Sequence, residues 1–384
     1  MRQYLHELKN FFRKGDLVLL LLCLITNTFG VIMISSATNH RGNLRYIIIQ
    51  IAAALLGVLF YMLVSSLDAE FMAEHRVALA VFNTFLLVLL IPFGTDLGSG
   101  NKSWLDFPFL PIDIQPAEIC KITFIIIMAS VMAQYQNSIS SWKAIIAMGF
   151  HVALLVGTNF VISSDAGVCL IFVFIFIGMA FSGGVSLLWF LLAGGAVTLG
   201  LPFLWNNFLD EYQRLRFEVL WNPEIDPEGI TVRYHSVRSL RSLTGGGWSG
   251  QGLYSGIRTQ NGELPSQHTD FIFSTVGEEL GFLGCILVLI MELAIIIRCI
   301  QVGKRSPDFL RRMICFGAAA ALMFQVFINV GMCLGLTPVI GLTLPFISYG
   351  GSSLVTLYSM LGLVSGVHAR PSPRSHERYI RPYR

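Results

Sequence analysis

The residues best suited to catalysis lie at the end of one long polar segment, residues 205–270. Within it, residues 264–273 read Leu-Pro-Ser-Gln-His-Thr-Asp-Phe-Ile-Phe, so that His268, Thr269 and Asp270 directly precede an apolar run. A carboxylate beside the head group of a membrane-embedded lipid could act as a general base or bind a divalent cation. It could equally cap the helix that follows, because aspartate is a favoured N-cap residue. The residues alone leave both interpretations of Asp270 open.

Two further groups place ionisable side chains next to apolar helices, where unpaired charge is costly. Glu118 and Lys121 lie three positions apart in a helix that Pro116 should open, so they share a face and can neutralise each other. The pair is either a structural salt bridge or a contact for an anionic substrate, since lysine binds phosphate as a point charge. Asp165, in the short turn 163–167, is either a helix cap or a substrate contact.

The long polar segment also contains a glycine-rich run and several arginines. Residues 244–252 read Thr-Gly-Gly-Gly-Trp-Ser-Gly-Gln-Gly, which would let the backbone approach a phosphate closely. No Lys-Ser or Lys-Thr follows, so the run is not a P-loop, and we expect no nucleotide cofactor. A re-entrant turn is the alternative interpretation. Arg214 and Arg216 lie within residues 212–216, Tyr-Gln-Arg-Leu-Arg, and bring positive charge to this segment.

The composition indicates which elements must position these groups. The chain has 384 residues, of which 54% are hydrophobic and 13% charged, whereas soluble domains carry about 25% charged residues. Most side chains must therefore face lipid or one another. The 7 cysteines lie in or beside apolar stretches and show no CxxC spacing. We expect them to be packed free thiols, without disulfides or a thiolate metal site.

Apolar runs long enough to cross about 30 Å of hydrocarbon predict an all-α integral membrane protein of about ten transmembrane helices. We place these spans at residues 17–37, 44–65, 77–93, 117–134, 143–162, 166–182, 185–204, 271–298, 312–336 and 340–368. The positive residues of the short loops favour cytoplasmic N- and C-termini, which leaves residues 205–270 as one large extracytoplasmic loop. The chain then divides into a cytoplasmic N-terminus (1–16), a membrane domain (17–368) and a basic cytoplasmic tail (369–384). Within the eighth span, we expect Glu292 to face a neighbouring helix and a bonded partner.

Several short motifs follow one another along the chain. They are Gln-Pro-Ala-Glu-Ile-Cys-Lys at 115–121, Trp-Asn-Pro at 221–223 with Asp-Pro at 226–227, the glycine-rich run at 244–252, His-Thr-Asp-Phe-Ile-Phe at 268–273, Gly-Glu-Glu-Leu-Gly at 277–281 and Gly-Leu-Thr-Leu-Pro-Phe-Ile-Ser-Tyr-Gly-Gly-Ser-Ser at 341–353. The order and spacing of the last three make a chance match negligible. On these residues, from the first span to Gly366, the chain resembles the bacterial SEDS family, the group of RodA, FtsW and SpoVE.

The resemblance implies a glycosyltransferase that polymerises lipid II into peptidoglycan strands during cell elongation, division or sporulation. It implies that Asp270 is the essential carboxylate, which deprotonates the acceptor hydroxyl with the help of a divalent cation such as Mg²⁺ or Mn²⁺. Glu118 and Lys121 would shape the cavity beneath Asp270, and Arg216 would contact the substrate diphosphate. The remaining predicted substrate-binding residues are Arg214, His268, Thr269 and Asp165.

The resemblance also implies the setting in which the protein works. The expected partner is a class B penicillin-binding protein, which crosslinks the peptides, together with other membrane proteins of the elongation or division machinery in the bacterial cytoplasmic membrane. We expect no nucleic acid partner. Two alternatives stay open: a transporter that flips lipid II, and a scaffold with weak catalysis. The scaffold has support in residues 212–216, where the family's Tyr-Arg-x-Arg-Arg reads Tyr-Gln-Arg-Leu-Arg.

Overall fold

The computed structural model describes residues 14–96, 101–106, 113–207 and 211–370, and these are mainly helical. In chain order the α-helices are α1 (Leu17–Thr38), α2 (Arg45–Ser66), α3 (Ala69–Glu74), α4 (Arg76–Val88), α5 (Leu90–Phe93), α6 (Pro116–Gln134), α7 (Trp142–Ser163), α8 (Ala166–Ser182), α9 (Leu187–Asn207), α10 (Glu211–Trp221), α11 (Tyr234–Gly246), α12 (Ile257–Gln260), α13 (Ile272–Arg305), α14 (Phe309–Cys333) and α15 (Gly351–Ala369). The other elements are 3₁₀ helices at Asn39–Arg41, Gln136–Ser138 and Pro223–Ile225, and a small antiparallel sheet of β1 (Gly94–Thr95) and β2 (Trp104–Leu105). Residues 1–13 and 371–384, which carry part of the predicted cytoplasmic charge, lie outside the described residues.

The apolar runs form helices of membrane-spanning length. Over the described ranges, nine helical segments of at least 18 residues are apolar enough to cross a bilayer, and a further apolar helix, α8, has 17 residues. At 1.5 Å per residue α8 is about 26 Å long, which is within the range of transmembrane helices. The predicted all-α fold with about ten transmembrane helices is confirmed, and the chain is a multi-pass membrane protein. All seven cysteines are free and buried, as predicted.

Small residues let the helices approach closely where α2 packs along α15. Gly57 of α2 faces the ring of Tyr358, and Gly362 of α15 faces the backbone of Tyr61. A Cβ atom at either glycine would lie less than 3 Å from its neighbour, at 2.5 Å and 2.7 Å respectively. Membrane helices gain little from burying apolar surface against each other, so close packing of this kind supplies much of their attraction.

A buried polar cluster ties four helices together at the N-terminal end of α1. The Asp16 carboxylate caps α1 by accepting the N–H of Leu19 at 3.1 Å, and it forms a bidentate ion pair with Arg298 of α13. The N–H of Asp16 donates to the Ser365 hydroxyl of α15 at 3.1 Å. The Tyr61 hydroxyl of α2 donates to the Asp16 carbonyl at 2.9 Å. A buried ion pair is tolerated only with such additional hydrogen bonds.

The last span differs from the prediction. We predicted it at 340–368, whereas α15 starts about three turns later. Residues 334–350 form a loop without helix, hereafter the C-terminal loop. Within it Pro345 cannot continue a helix, and Gly341 and Phe346 have left-handed backbone conformations, with φ of 71° and 59°. The apolar sequence therefore folds into an ordered loop against the other helices, where several of its side chains are buried.

The segment predicted as one large loop contains three further helices. α10, α11 and α12 all fall within residues 205–270, and α11 packs against α13. The Ser239 hydroxyl of α11 donates to the carbonyl of Cys333 at 2.7 Å, at the end of α14. This segment is therefore folded and packs against the N-terminal part of α13.

The helix α13 is broken near its N-terminal end and is completed by the glycine-rich run. Gly281 has φ 67° and ψ −162°, which is not helical, so two helical parts meet at a kink. Residues 246–252, hereafter the glycine turn, bind the backbone groups that the break exposes. The four hydrogen bonds run from the N–H of Gln251 to the carbonyl of Glu278 (3.0 Å), Gly252 to Glu279 (2.9 Å), Phe282 to Gly247 (2.9 Å) and Leu283 to Trp248 (3.2 Å). Irregular backbone within a membrane protein needs internal partners of this kind.

The close approach of the glycine turn requires glycine. A Cβ atom at Gly250 would lie 2.1 Å from the carbonyl oxygen of Glu279, and one at Gly246 would lie 1.9 Å from that of Gly277. The N–H groups of Gln251 and Gly252 are bound to α13. The structure therefore favours the re-entrant turn over a phosphate cradle.

Candidate active site

Asp270 lies in a tight turn directly before α13. The N–H groups of Thr269 and Phe271 donate to the carbonyl of Ser266 at 3.0 Å and 3.2 Å. The N-cap residue of α13 is Phe271, and no side chain caps the helix. The alternative interpretation of Asp270 as a helix cap is therefore wrong.

The carboxylate of Asp270 is half-buried, and nothing described in the chain gives it a hydrogen bond. Burial raises the pKa of Asp270 from its ordinary value of 3.8 to about 6. Loss of hydration disfavours the charged form of a carboxyl group. A general base is most effective when its pKa lies near the working pH, so this shift suits proton abstraction.

The C-terminal loop forms one wall beside this carboxylate. A Cβ atom added at Gly341 would lie 3.8 Å from Oδ2 of Asp270, so only the glycine Cα hydrogens face it. Directly after Asp270 in the chain, Phe271 and Phe273 are buried in an apolar cluster with Ile34 of α1 and Leu344 of the C-terminal loop. The apolar cluster fixes the start of α13 and leaves Asp270 at its edge.

His268 packs among aromatic rings two residues before Asp270. Its ring centroid lies 4.9 Å from that of Tyr46 and 5.7 Å from that of Tyr349, and the two tyrosine rings lie 5.2 Å apart. Burial and the nearby positive charge of Arg41 lower the pKa of His268 to about 4. The imidazole is therefore neutral at pH 7.

Thr269 is bound within the same turn. Its hydroxyl donates to the carbonyl of Ser266 at 3.2 Å, and its carbonyl accepts the hydroxyl of Ser348 at 2.7 Å. These contacts give Thr269 a structural role in the turn that carries Asp270.

Glu118 and Lys121 form the predicted salt bridge in the first turns of α6. Pro116 occupies the first turn, as predicted, and Nζ of Lys121 lies 2.8 Å from the Glu118 carboxylate. Both side chains are buried, and the Thr356 hydroxyl of α15 donates to Glu118 at 3.0 Å. The pair therefore lies between α6 and α15, the helix that continues from the C-terminal loop.

Asp165 is the N-cap of α8. Its carboxylate accepts the N–H of Val168 at 3.1 Å and the hydroxyl of Ser103 at 3.3 Å, so the predicted capping role is confirmed. The same turn lies against the C-terminal loop, because a Cβ atom at Gly167 would lie 2.7 Å from the carbonyl oxygen of Ile340. Asp165 thus supports the wall that faces Asp270.

The two candidate arginines of α10 reach different parts of the structure. Nη1 of Arg216 donates to the carbonyl of Val339 in the C-terminal loop at 2.9 Å, two residues before Gly341. Arg214 donates to the carbonyl of Asn206 near the end of α9 at 3.2 Å. Arg216 is therefore brought to the loop beside Asp270, and Arg214 is held at the α9–α10 junction.

Glu278 and Glu279 are buried acceptors that hold the long polar segment on α13. Glu278 accepts the N–H groups of Arg258 and Thr259 at 2.9 Å each, and Glu279 accepts the Gln260 amide at 2.9 Å. Sequence reasoning gave these glutamates no role. Two adjacent acidic residues inside an apolar run were the signal for buried partners.

Sequence reasoning also missed residues that the fold brings to Asp270. Tyr349 lay within a recognised motif, at 341–353, but no spacing linked it to His268. Tyr46 and Asn329, which contact this region from α2 and α14, carry no local signal at all.

No group of three or more His, Cys, Asp or Glu side chains suited to hold a metal ion occurs in the described part of the chain. Mg²⁺ commonly binds through one or two carboxylates and substrate phosphates.

Comparison with known proteins places this chain in a family. The sequence model of the cell cycle protein family of FtsW, RodA and SpoVE matches residues 16–372. A probable peptidoglycan glycosyltransferase FtsW from Geobacter metallireducens is 32% identical over 363 residues, which cover 92% of this chain and 95% of the relative. The peptidoglycan glycosyltransferase MrdB of Escherichia coli is 30% identical over 368 residues, which cover 92% and 93%.

Solved structures share the fold. A chain from the study "Structural coordination of polymerization and crosslinking by a peptidoglycan synthase complex" superposes with a TM-score of 0.79 at 28% identity, covering 92% of this chain and 97% of that one. The rod shape determining protein RodA of Thermus thermophilus gives a TM-score of 0.68 at 25% identity, covering 92% and 96%. The chain therefore belongs to the cell cycle protein family of FtsW, RodA and SpoVE.

Proposed function

We propose that this protein is a peptidoglycan glycosyltransferase that polymerises lipid II into glycan strands. Relatives that match it over 92% of its length are named peptidoglycan glycosyltransferases. The observation that carries the proposal is Asp270, a carboxylate with a pKa raised to about 6 and no hydrogen bond from the described residues. It lies where a structured polar segment meets a membrane helix, as a base acting on a lipid-linked sugar should.

The reaction joins two lipid-linked saccharides. The 4-hydroxyl oxygen of the acceptor sugar attacks the anomeric carbon of the donor, and the bond from that carbon to the lipid diphosphate breaks. Asp270 accepts the hydroxyl proton as the glycosidic bond forms, and the diphosphate leaves with the bonding electron pair. Asp270 then returns its proton to solvent before the next cycle.

The ring cluster of Tyr46, His268 and Tyr349 is suited to place the sugar. Aromatic rings combine an apolar body with polar groups that can hydrogen-bond, and the His268 ring stays neutral near pH 7. A neutral imidazole can donate or accept a hydrogen bond from a sugar hydroxyl without repelling a cation. Thr269 supports this cluster through the turn, and Asp165 supports it through the C-terminal loop.

The leaving diphosphate needs positive charge beside it. Arg216 is proposed to supply this charge, because its guanidinium reaches the C-terminal loop beside Asp270. Arg214 adds positive charge two residues earlier, where it donates to the carbonyl of Asn206 near the end of α9. Glu118 neutralises Lys121, so we propose that this pair shapes the cavity. A Mg²⁺ or Mn²⁺ ion shared by Asp270 and the diphosphate would add further neutralisation.

The setting of the reaction is proposed from the charge pattern and the relatives. We place the N- and C-termini in the cytoplasm and the polar segment outside the bacterial cytoplasmic membrane. The partner would be a class B penicillin-binding protein, acting with other proteins of the elongation or division machinery. The study of the first structural relative names coordination of polymerization and crosslinking in a peptidoglycan synthase complex.

The test is polymerisation by the purified protein and its crosslinking partner, with fluorescent lipid II as substrate. We expect a ladder of glycan products from the unmodified chain and no ladder from Asp270→Asn. Asp68→Asn is the matched control, because it changes a carboxylate that caps α3, at the opposite end of α2 from Tyr46. If lipid II crosses the bilayer without polymerising, and Asp270→Asn still permits this, the protein is a transporter. Normal binding to the partner without a ladder would favour a scaffold.

A further inference from the structure

Three successive carbonyl groups of the turn that carries Asp270 are each held from outside the turn. The carbonyl of His268 accepts the N–H of Tyr349 at 2.8 Å, and that of Thr269 accepts the Ser348 hydroxyl at 2.7 Å. The carbonyl of Asp270 accepts the side-chain amide of Asn329 at 2.7 Å. The donors come from the C-terminal loop and from α14, so the turn is fixed by segments distant in sequence.

Asn329 links the turn to the loop directly. It is fully buried on α14, and its amide nitrogen donates to the carbonyls of Asp270 and Leu342 at 2.7 Å each. Both N–H bonds are used, so the orientation of the amide is determined: a flipped amide would set its oxygen against two carbonyl oxygens. The amide oxygen of Asn329 has no partner among the described residues, and the two donated bonds are its contribution.

These hydrogen bonds fix both the backbone of Asp270 and the part of the C-terminal loop that faces its carboxylate. The Asp270 side chain has no hydrogen bond of its own from the described residues, so its direction is set by its backbone. Leu342 adjoins Gly341, whose Cα faces the carboxylate. The Asn329 amide thus fixes the backbone of Asp270 and the loop backbone at Leu342, next to Gly341. Ser348 adds a second tie, because it also accepts the N–H of Leu344 at 2.8 Å.

We infer that Asn329, assisted by Ser348, is a positioning residue for the catalytic base Asp270. The inference rests on the proposed function. Both side chains are buried, and each is bonded to the backbone of the turn and to the backbone of the C-terminal loop. Their effect on the reaction comes from holding the carboxylate at the reacting hydroxyl, where a displacement of about 1 Å can cost a hundredfold in rate.

The experiment compares Asn329→Asp and Asn329→Leu with the unmodified full-length chain in complex with its partner. Asp keeps the shape but loses both donors, and Leu keeps the approximate volume. We expect kcat for lipid II polymerisation to fall by about 10- to 100-fold, while KM for lipid II changes less than about twofold. Gln325→Met is the matched control and should keep unmodified kinetics. Gln325 is buried one turn away on α14, and its side-chain oxygen has no partner in the described chain.

The pH dependence distinguishes positioning from mere support of the fold. In Asn329→Leu, which introduces no charge, a loosened turn admits water to Asp270, so the acid limb of kcat should move from near pH 6 toward lower pH. His268 titrates near 4 and does not account for a limb at pH 6. A purely structural role would lower the amount of folded protein and leave the pH profile of the folded fraction unchanged.

The kinetics of the Asn329 and Ser348 variants decide whether Asn329 positions Asp270. Unmodified kcat and acid limb in both Asn329 variants would overturn it. If neither variant shows a cooperative unfolding transition, Ser348→Ala decides in the same assay: an approximately tenfold loss of kcat at constant KM supports the inference, and unmodified kinetics overturn it. The proposed function is tested separately by Asp270→Asn. Activity in that variant would refute the function, whereas an inactive Asp270→Asn beside fully active Asn329 and Ser348 variants would refute only the positioning role.

Discussion

Two aspartates of the polar segment have pKa shifts of opposite sign, and their hydrogen bonds explain the difference. The Asp226 carboxylate accepts the N–H groups of Arg233, Ile230 and Thr231 at 2.9 to 3.0 Å, and these bonds lower its pKa to about 2. Asp270 has no such donors among the described residues, and burial raises its pKa to about 6. Asp226 is therefore suited to hold a loop, and Asp270 to take up a proton.

The rate of polymerisation should follow the ionisation of Asp270. Because the base must be deprotonated, kcat should rise with pH through a midpoint near 6 and level off above about pH 7. The measurement is the initial rate of glycan formation between pH 5 and 8 at saturating lipid II. A rate that stays constant from pH 8 down to pH 5 would contradict the assignment of Asp270 as the base.

Asp270→Asn should remove activity and at the same time stabilise the fold. The pKa of Asp270 is higher in the folded chain than its ordinary value, so its ionisation lowers stability as pH rises from about 4 through about 6. The variant should gain about 3 kcal/mol at pH 8 and much less at pH 4. Thermal unfolding in detergent at both pH values measures this, and an equal shift at the two would refute the explanation.

Asp226→Asn should have the opposite effect on stability. The pKa of Asp226 is depressed in the fold, so its contribution is present above about pH 4 and is lost as pH falls toward 2. We expect a lower unfolding midpoint at pH 7 that converges with the unmodified chain near pH 2. Unchanged unfolding at pH 7 would show that the backbone hydrogen bonds to Asp226 add no stability.

Local spacing accounts for the residues that the sequence predicted well. Asp165 caps α8, and Glu118 pairs with Lys121, because both arrangements depend on residues within one turn. The surroundings of Asp270 could not be read in this way, since Tyr46 and Asn329 reach it from helices far away in the chain. Residue type could suggest the base but not what holds it.

At the level of elements, the break in α13 is the largest difference from the sequence prediction. Residues 271–298 read as one apolar span, and one glycine such as Gly281 is common in membrane helices. The break is stable because the glycine turn supplies its hydrogen bonds from another part of the chain. Such a match between distant segments leaves no periodic pattern in the sequence.

Alanine substitution in the glycine turn should separate steric clash from backbone strain. Gly250 and Gly252 have φ of 80° and 103°, so alanine is strained at both. At Gly250 the new Cβ atom would also overlap the carbonyl oxygen of Glu279, at 2.1 Å. At Gly252 the nearest atoms to a new Cβ lie 3.5 Å away, so no overlap occurs. Gly250→Ala should lower stability by roughly 3 kcal/mol or more, and Gly252→Ala by about 1–2 kcal/mol.

The unfolding midpoint of each variant in detergent is the measurement for this pair. Gly195→Ala on α9, where a Cβ atom meets nothing within 4 Å, is the control and should be neutral or slightly stabilising. Equal losses at Gly250 and Gly252 would show that the turn can move away from α13.

At the level of the whole molecule, composition was sufficient to predict the class of fold, because the bilayer sets the length and polarity of each span. Composition was not sufficient to predict the hydrogen-bond partners of buried polar side chains. Glu292 lies fully buried in α13, and neither of its carboxylate oxygens has a hydrogen-bond partner in the described chain. The bonded partner that we expected for Glu292 is therefore not found among these residues.

Glu292→Leu should stabilise the protein. A buried polar group without a partner costs about 1–3 kcal/mol, and an apolar side chain of similar size removes that cost. We expect a higher unfolding midpoint with an unchanged polymerisation rate. Loss of polymerisation in a stably folded Glu292→Leu variant would instead show that this carboxyl group takes part in function.

The glycine turn also has a consequence for the order in which the protein is assembled during synthesis. Residues 246–252 leave the ribosome before residues 278–283, so the groups that complete α13 are already available when that span is made. The turn around Asp270, in contrast, depends on α14 and the C-terminal loop, which are translated later. The nascent chain can therefore complete its broken span early, whereas the turn around Asp270 is completed only after α14 and the C-terminal loop have been made.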